Sequence, residues 1–331
     1  MPEPVVDVHD LVKVFRSPER ETGTKATIAA LFRAQHREIR AIDGLTFSID
    51  PGEIVGFLGE NGAGKTVTLK CLAGLLHPTS GSIRVLGHVP HVRDRAMLRQ
   101  LTMMAGHRNQ LLWDLPAQDT FEVHKTIYEI PDSRYSETLD ELVELLELGP
   151  LLRQSVRRMS LGQRMRCELA AALLHRPRLV LLDEPTIGLD ATVQYAIREF
   201  LKDYCRRHES TILLSSHYMA DLSEITSRVL LLDHGTLRYD GTLTDLVRRA
   251  APYVYLKMVL RHPADPDALK ELGDLEHHEG LHVTMRVPRA ESAGRAGAAL
   301  RQFDVQEVTV QEPATERIMV ELFASGQASD A

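Results

Sequence analysis

The sequence predicts an α/β fold: a mostly parallel sheet wrapped by helices, an all-helical lobe, and a small C-terminal α+β domain. Three observations predict it. Short apolar strands alternate with helical runs through most of the chain, and one stretch is helical without any strand. The alternation then resumes after a boundary at Arg248-Arg249-Ala250-Ala251-Pro252. With 331 residues and 44% hydrophobic content, the chain can bury a large core and a second, smaller one.

Taken in order, Val5–His9, Leu45–Ile49 and Ile54–Leu58 read as strands, the last two separated by the turn residues Asp50-Pro51-Gly52. Between the first two lies a basic insertion, residues 17–40, in which Ile28, Leu31, Phe32, Gln35 and Ile39 fall at helical spacing. That spacing predicts a short amphipathic helix. Helix follows strand at Lys65–Leu76. Gly162–His175 precedes the strand Leu179–Leu182, Thr192–Arg207 precedes Thr211–Leu214, and Met219–Ile225 precedes Val229–Leu232. From Gln118 to Leu148 the pattern is helical only, with Leu139, Leu142, Val143, Leu145, Leu146 and Leu148 forming one apolar face. This predicts a separate lobe spanning residues 107–165. Beyond the boundary, Tyr253–Leu260, Asp267–Leu272, His282–Val287, Glu291–Phe303, Val305–Gln311 and Ala314–Phe323 alternate strand and helix. The expected domains are therefore residues 1–248 and 249–331, the second regulatory or dimerising.

The composition excludes several classes. A formal net charge of −7 gives no overall basic footprint, so nucleic acid is not an expected partner. Cys71, Cys167 and Cys205 are odd in number and far apart, which indicates neither a disulfide framework nor a zinc site. No run approaches the roughly 18 apolar residues that span a bilayer, and Met1–Asp10 lacks a basic, apolar leader. Work at a membrane would need another chain to cross it.

Gly59-Glu60-Asn61-Gly62-Ala63-Gly64-Lys65-Thr66 fits the pattern G-x-x-x-x-G-K-[ST] between a strand and a helix. Glycines there let backbone N–H groups turn toward an anion, the helix start adds its positive end, Lys65 reaches phosphate oxygens, and the Thr66 hydroxyl suits Mg²⁺. The bland alternative is a glycine-rich turn with an exposed lysine. Leu179-Val180-Leu181-Leu182-Asp183-Glu184 is an apolar strand ending in two acids, at the sheet edge where ligands of open α/β folds collect. Asp183 is the candidate partner of Mg²⁺ and Glu184 the candidate base for an attacking water. Alone, the pair would read as a solvated strand end.

Met159-Ser160-Leu161-Gly162-Gln163, placed between these two motifs, resembles the signature of the ATP-binding-cassette (ABC) ATPases, usually Leu-Ser-Gly-Gly-Gln. On the same resemblance, Gly188-Leu189-Asp190 matches the loop that faces a second monomer, and His217 matches the histidine that contacts the γ-phosphate. Phe15 takes the place of the adenine-stacking aromatic, with burial in the core as its other reading. The resemblance covers residues 5–245. It implies a P-loop NTPase core with a mixed sheet, an antiparallel β subdomain and a helical lobe. It further implies ATP and Mg²⁺ as cofactors. Two such domains, as homodimer or heterodimer, would close head to tail over ATP held by Gly59–Thr66 of one and Ser160–Gln163 of the other. Transmembrane permease subunits would be the partners, at the cytoplasmic face of the cell membrane. Ser160 to Cys167 together with Leu111 to Pro116 resembles the bacterial branch whose separate permeases mostly export.

The sequence departs from the family at three places. Leu161 replaces the first signature glycine, and Val67 stands where a second hydroxyl often follows Thr66. His107 occupies the place of the family's glutamine, with Gln110 as the alternative; an imidazole suits Mg²⁺ poorly as a direct ligand. If His107 serves, the link between nucleotide and permease is weakened or becomes pH-dependent. Trp113 reads either as a contact anchor or as core, and the basic insertion as a membrane-facing patch or a solvated connector. Two rival functions are a cassette ATPase acting on nucleic acid or ribosomes, and a P-loop kinase or GTPase. The first would need paired cassettes or a basic surface, the second an Asn-Lys-x-Asp motif, and the sequence shows neither.

Overall fold

The computed structural model describes residues 3–18, 36–105, 110–314, 317–318 and 321–322. It divides into two compact units, Met1–Gly241 and Thr242–Ala331.

The first unit opens with two long strands, β1 (Val6–Pro18) and β2 (His36–Ile49), followed by β3 (Ile54–Leu58), helix α1 (Lys65–Leu72) and β4 (Ser80–Val85). Strands β2, β1 and β4 form an antiparallel sheet in that order. The described ends of the basic insertion are strand, where a helix was expected: Pro18 pairs with His36, Ser17 with Arg37 and Phe15 with Ile39. Cross-strand pairing therefore overrides the helical spacing at Ile39, while Ile28, Leu31, Phe32 and Gln35 lie outside the described residues.

Helix α2 (Arg95–Leu98) leads into β5 (Leu101–Ala105), and the chain then enters the helical stretch α3 (Ala117–Ile127), α4 (Asp132–Leu145) and α5 (Leu161–Leu173). Next come β6 (Leu179–Asp183), α6 (Ala191–His208), β7 (Thr211–Ser216), α7 (Met219–Ser223), β8 (Arg228–Asp233) and β9 (Thr236–Gly241). The second sheet has the order β5-β6-β7-β3-β8-β9, parallel except for the antiparallel edge β9. Every residue of β6 and β7 is buried, which is why these central strands read as unbroken apolar runs. The two sheets share one core, in which Phe47 of β2 meets Phe57 of β3 edge to face at 5.5 Å. Leu142 of α4 is fully buried, and His208 of α6 contacts Glu141 of α4 at 3.1 Å, tying the helical stretch to the sheet.

The second unit contains α8 (Leu243–Ala250), β10 (Tyr253–Leu260), α9 (Pro266–Lys270), β11 (Asp274–Glu279), β12 (His282–Pro288), α10 (Ser292–Gln302) and β13 (Val305–Gln311). Its antiparallel sheet has the order β11-β12-β10-β13, the arrangement of a β-α-β-β-α-β motif. Leu256, Met258, Val283 and Met285 from one sheet face pack with Leu269, Leu272 and Ala299 from the helices. Strand β11, Asp-Leu-Glu-His-His-Glu, escaped the sequence reading because an exposed edge strand needs no apolar alternation.

Candidate functional site

Parallel register brings the C-terminal ends of three strands together: Leu58 lies beside Ser216, and Ser215 beside Asp183. The phosphate-loop candidate leaves β3 at this edge. Gly59 abuts β8, where a Cβ atom would sit 2.4 Å from the Leu232 carbonyl oxygen. Gly64 has φ +104° and a Cβ there would lie 2.7 Å from the Ala41 carbonyl, so only glycine fits. Gly64 also caps α1 without any side-chain hydrogen bond, which leaves the first-turn N–H groups to a ligand. Glu60, Asn61 and Gly62 are exposed, whereas Ala63 is buried and Val67 packs against the core.

Lys65 is 5% exposed, and its Nζ donates to the carbonyls of Gly59 at 2.5 Å and Glu60 at 3.0 Å. Burial lowers its pKa, while the charges of Glu184, Asp183 and Glu60 act in the opposite direction. The Thr66 hydroxyl donates to Asp183, with Oδ1 at 3.0 Å and Oδ2 at 2.8 Å. This pair of hard oxygen donors suits a divalent cation such as Mg²⁺. Glu184 adopts φ +53°, a left-handed conformation unusual for a side chain of this kind. Its Oε1 lies 3.0 Å from His217 Nδ1. Because a carboxylate only accepts, Nδ1 carries the proton in this contact.

A second group gathers on other elements. Ser160 caps α5, accepting from the Gln163 amide at 3.2 Å while Gln163 Oε1 accepts from the Ser160 N–H at 3.0 Å. A Cβ on Gly162 would sit 3.1 Å from Val193, and one on Gly188 would sit 3.3 Å from Leu161. The Leu161 that replaces a glycine thus packs toward the loop before Asp190, which itself caps α6 through Val193 at 3.0 Å. Ser160, Leu161, Gly188 and Asp190 are all exposed.

Other candidates separate. Phe15 is 36% exposed with the Lys13 ammonium 5.1 Å from its ring centre, so it is not core. Trp113 is exposed too, stacked by Arg164 at 5.5 Å. His107 lies outside the described residues. Gln110 donates through Nε2 to the Met103 carbonyl at 3.2 Å, and its amide N–H donates to buried Glu168 at 2.8 Å. It lines a cavity of about 550 Å³ with Arg99, His124 and Tyr128, and neither Thr66 nor Asp183 is among the residues lining it.

The sequence reading missed a buried network beneath the site. Asp221 of α7 accepts from Thr186 at 3.0 Å, Ser216 at 3.2 Å and Arg198 at 3.2 Å, joining the segment after Glu184 to the one carrying His217. Ser215 and Ser216 end an apolar strand pattern as Ser215-Ser216-His217, and nothing in the sequence signals their pairing with acids.

Residues 42–187 match the family described as ABC transporter, and residues 252–311 match the EvrA-like ABC transporter C-terminal domain. The bacitracin transport ATP-binding protein BcrA of Bacillus licheniformis is 28% identical over 87% of this chain and 94% of its own length. The doxorubicin resistance ATP-binding protein DrrA of Mycobacterium tuberculosis is 28% identical over 86% of this chain and 88% of its own. A solved structure of an ATP-binding subunit of an ABC transporter superposes with a TM-score of 0.60 at 26% identity, covering 74% of this chain and 92% of that one.

Proposed function

We propose that this chain, an ATP-binding and ATP-hydrolysing subunit of the ABC transporter family, drives export through separate membrane-spanning permease subunits by closing in pairs over ATP. One observation carries the reading: Lys65, Thr66, Asp183, Glu184 and His217 converge at one sheet edge, each held by a named contact. In this reading Lys65 binds the β and γ phosphates, with the open start of α1 supplying backbone donors. Thr66 and Asp183 would hold Mg²⁺, which when bound neutralises phosphate charge. Glu184 orients and deprotonates the attacking water, and His217 fixes the carboxylate while turning Nε2 toward the γ-phosphate. Phe15 offers its exposed ring to adenine.

The group of exposed Ser160 and Asp190 with half-buried Gly162 completes the site from a second copy, its helix start facing the γ-phosphate. Differential affinity of ATP for the closed pair then supplies the work. The helical stretch, with exposed Trp113, is the surface offered to a permease. Among the described residues no helix is long and apolar enough to cross a membrane, which fits a chain that works beside permeases at the inner face of the cell membrane. Export is favoured because relatives spanning nearly the whole chain are named for bacitracin transport and doxorubicin resistance. A test is reconstitution of the chain with its co-purified membrane partner in vesicles. ATP-dependent movement of a substrate out of the compartment that holds the chain supports the reading; ATP hydrolysis indifferent to any membrane partner contradicts it.

A further inference from the structure

We infer that Ser215 is a positioning residue for both acids at the end of β6, fixing the Asp183 carboxylate and pinning the peptide of Glu184 through one hydroxyl. Ser215 is fully buried. Its Oγ donates to Asp183 Oδ1 at 2.7 Å, and the Glu184 N–H donates to the same Oγ at 3.1 Å. The direction of both bonds is unambiguous, because a peptide N–H only donates and a carboxylate only accepts. The hydroxyl is therefore a relay between a residue proposed to hold a cation and the backbone of the residue proposed to activate water.

Two features show what this relay does. Asp183 accepts from Thr66 as well as from Ser215. If Thr66 turned its hydroxyl toward a cation, Asp183 would keep its Ser215 bond and hence its orientation, an outer partner holding an inner ligand in place. Glu184 stands at φ +53°, a conformation that surrounding contacts must impose. Its N–H has the Ser215 carbonyl at 3.2 Å and the Ser215 hydroxyl at 3.1 Å, so one residue supplies both acceptors. Without the hydroxyl, the longer carbonyl contact alone restrains the turn that aims the Glu184 side chain at His217. The strand itself, apolar through Leu213 and Leu214, would bury an alanine at this position equally well.

This inference rests on the proposed nucleotide role of the site, and its test separates the two. Full-length chain carrying Ser215→Ala or Ser215→Thr is loaded with a non-hydrolysable ATP analogue, and Mn²⁺ is titrated with detection by electron paramagnetic resonance. Thermal midpoints and ATP turnover are measured alongside. Ser215→Ala is expected to raise the half-saturating Mn²⁺ concentration and lower turnover about tenfold each, the usual cost of losing an outer partner, with Ser215→Thr recovering most of both. An unchanged Mn²⁺ midpoint in Ser215→Ala overturns the inference. So does equal impairment of the two variants at unchanged thermal midpoints, which would make the serine a packing element. Loss of turnover in Glu184→Gln tests the nucleotide reading separately, and the Mn²⁺ titration reports on Ser215 whichever way that falls.

Discussion

The two halves of the candidate site are built on opposite principles. Around Lys65 and Asp183 the polar groups are buried and bonded to one another across β3, β6 and β7, so this half is finished within a single chain. Around Ser160 and Asp190 the polar groups are exposed and bonded locally, each capping its own helix. A buried, cross-strand network keeps its geometry whether or not another molecule arrives. Exposed helix starts present dipole and N–H groups to whatever approaches them. On the proposed reading, the difference teaches that catalytic chemistry is preassembled here, while the switch that licenses it is left to an encounter.

The largest effect should come from breaking the buried half. Lys65→Ala removes the ammonium proposed to bind the phosphates, and we expect hydrolysis to fall about 10²- to 10³-fold, with ATP binding by the single chain weakened as well. Nucleotide affinity by equilibrium dialysis checks the second part. Unchanged affinity would mean the loop does not cradle phosphate.

Ser160→Asp sharpens the comparison from the other side. Aspartate caps a helix as well as serine does, so α5 should keep its stability. Its charge would face the γ-phosphate in a closed pair, and like charges brought together there would cost about 3 kcal/mol, or about a hundredfold in hydrolysis. ATP affinity of the separate chain should stay at the wild-type value. Loss of that affinity would place the signature in the same half as Lys65.

A smaller effect concerns the helical stretch that carries Ser160. His175, just past α5, is 7% exposed and stacks on Tyr128, the residue that ends α3, at 3.8 Å. Burial pushes its pKa down from 6.5 to about 4. The unfolded chain therefore binds this proton at a higher pH than the folded one, and the neutral form favours folding. Stability from this group is complete above pH 6.5 and is lost as pH falls toward 4, up to about 3 kcal/mol in all. His175→Phe should narrow the stability gap between neutral and acid solution in denaturant titrations. An identical gap in the variant would refute the assignment.

How much was legible depends on how local the signal is. Gly59 to Thr66 is contiguous, and Gly59 and Gly64 are required by the near carbonyls of Leu232 and Ala41, so sequence alone suffices. The buried β6 with its two terminal acids was equally plain. The long β1–β2 pairing was not, because Ile39 is exposed and its helical spacing competes with a partner more than twenty residues distant. Ser215 and Asp221 are meaningless until β6, β7 and α7 are packed; a serine in an apolar strand has no pattern of its own. The exposed edge strand β11 lacked the alternation that burial of one face imposes.

The claim that a second copy completes the site can be tested by one mass measurement. Full-length Glu184→Gln, binding ATP without consuming it, is examined by light scattering at saturating MgATP, with and without Ser160→Asp in the same chain. The account predicts a doubled mass that collapses to the single chain when Ser160→Asp is added. A single-chain mass with ATP demonstrably bound, or a dimer indifferent to Ser160→Asp, would contradict it.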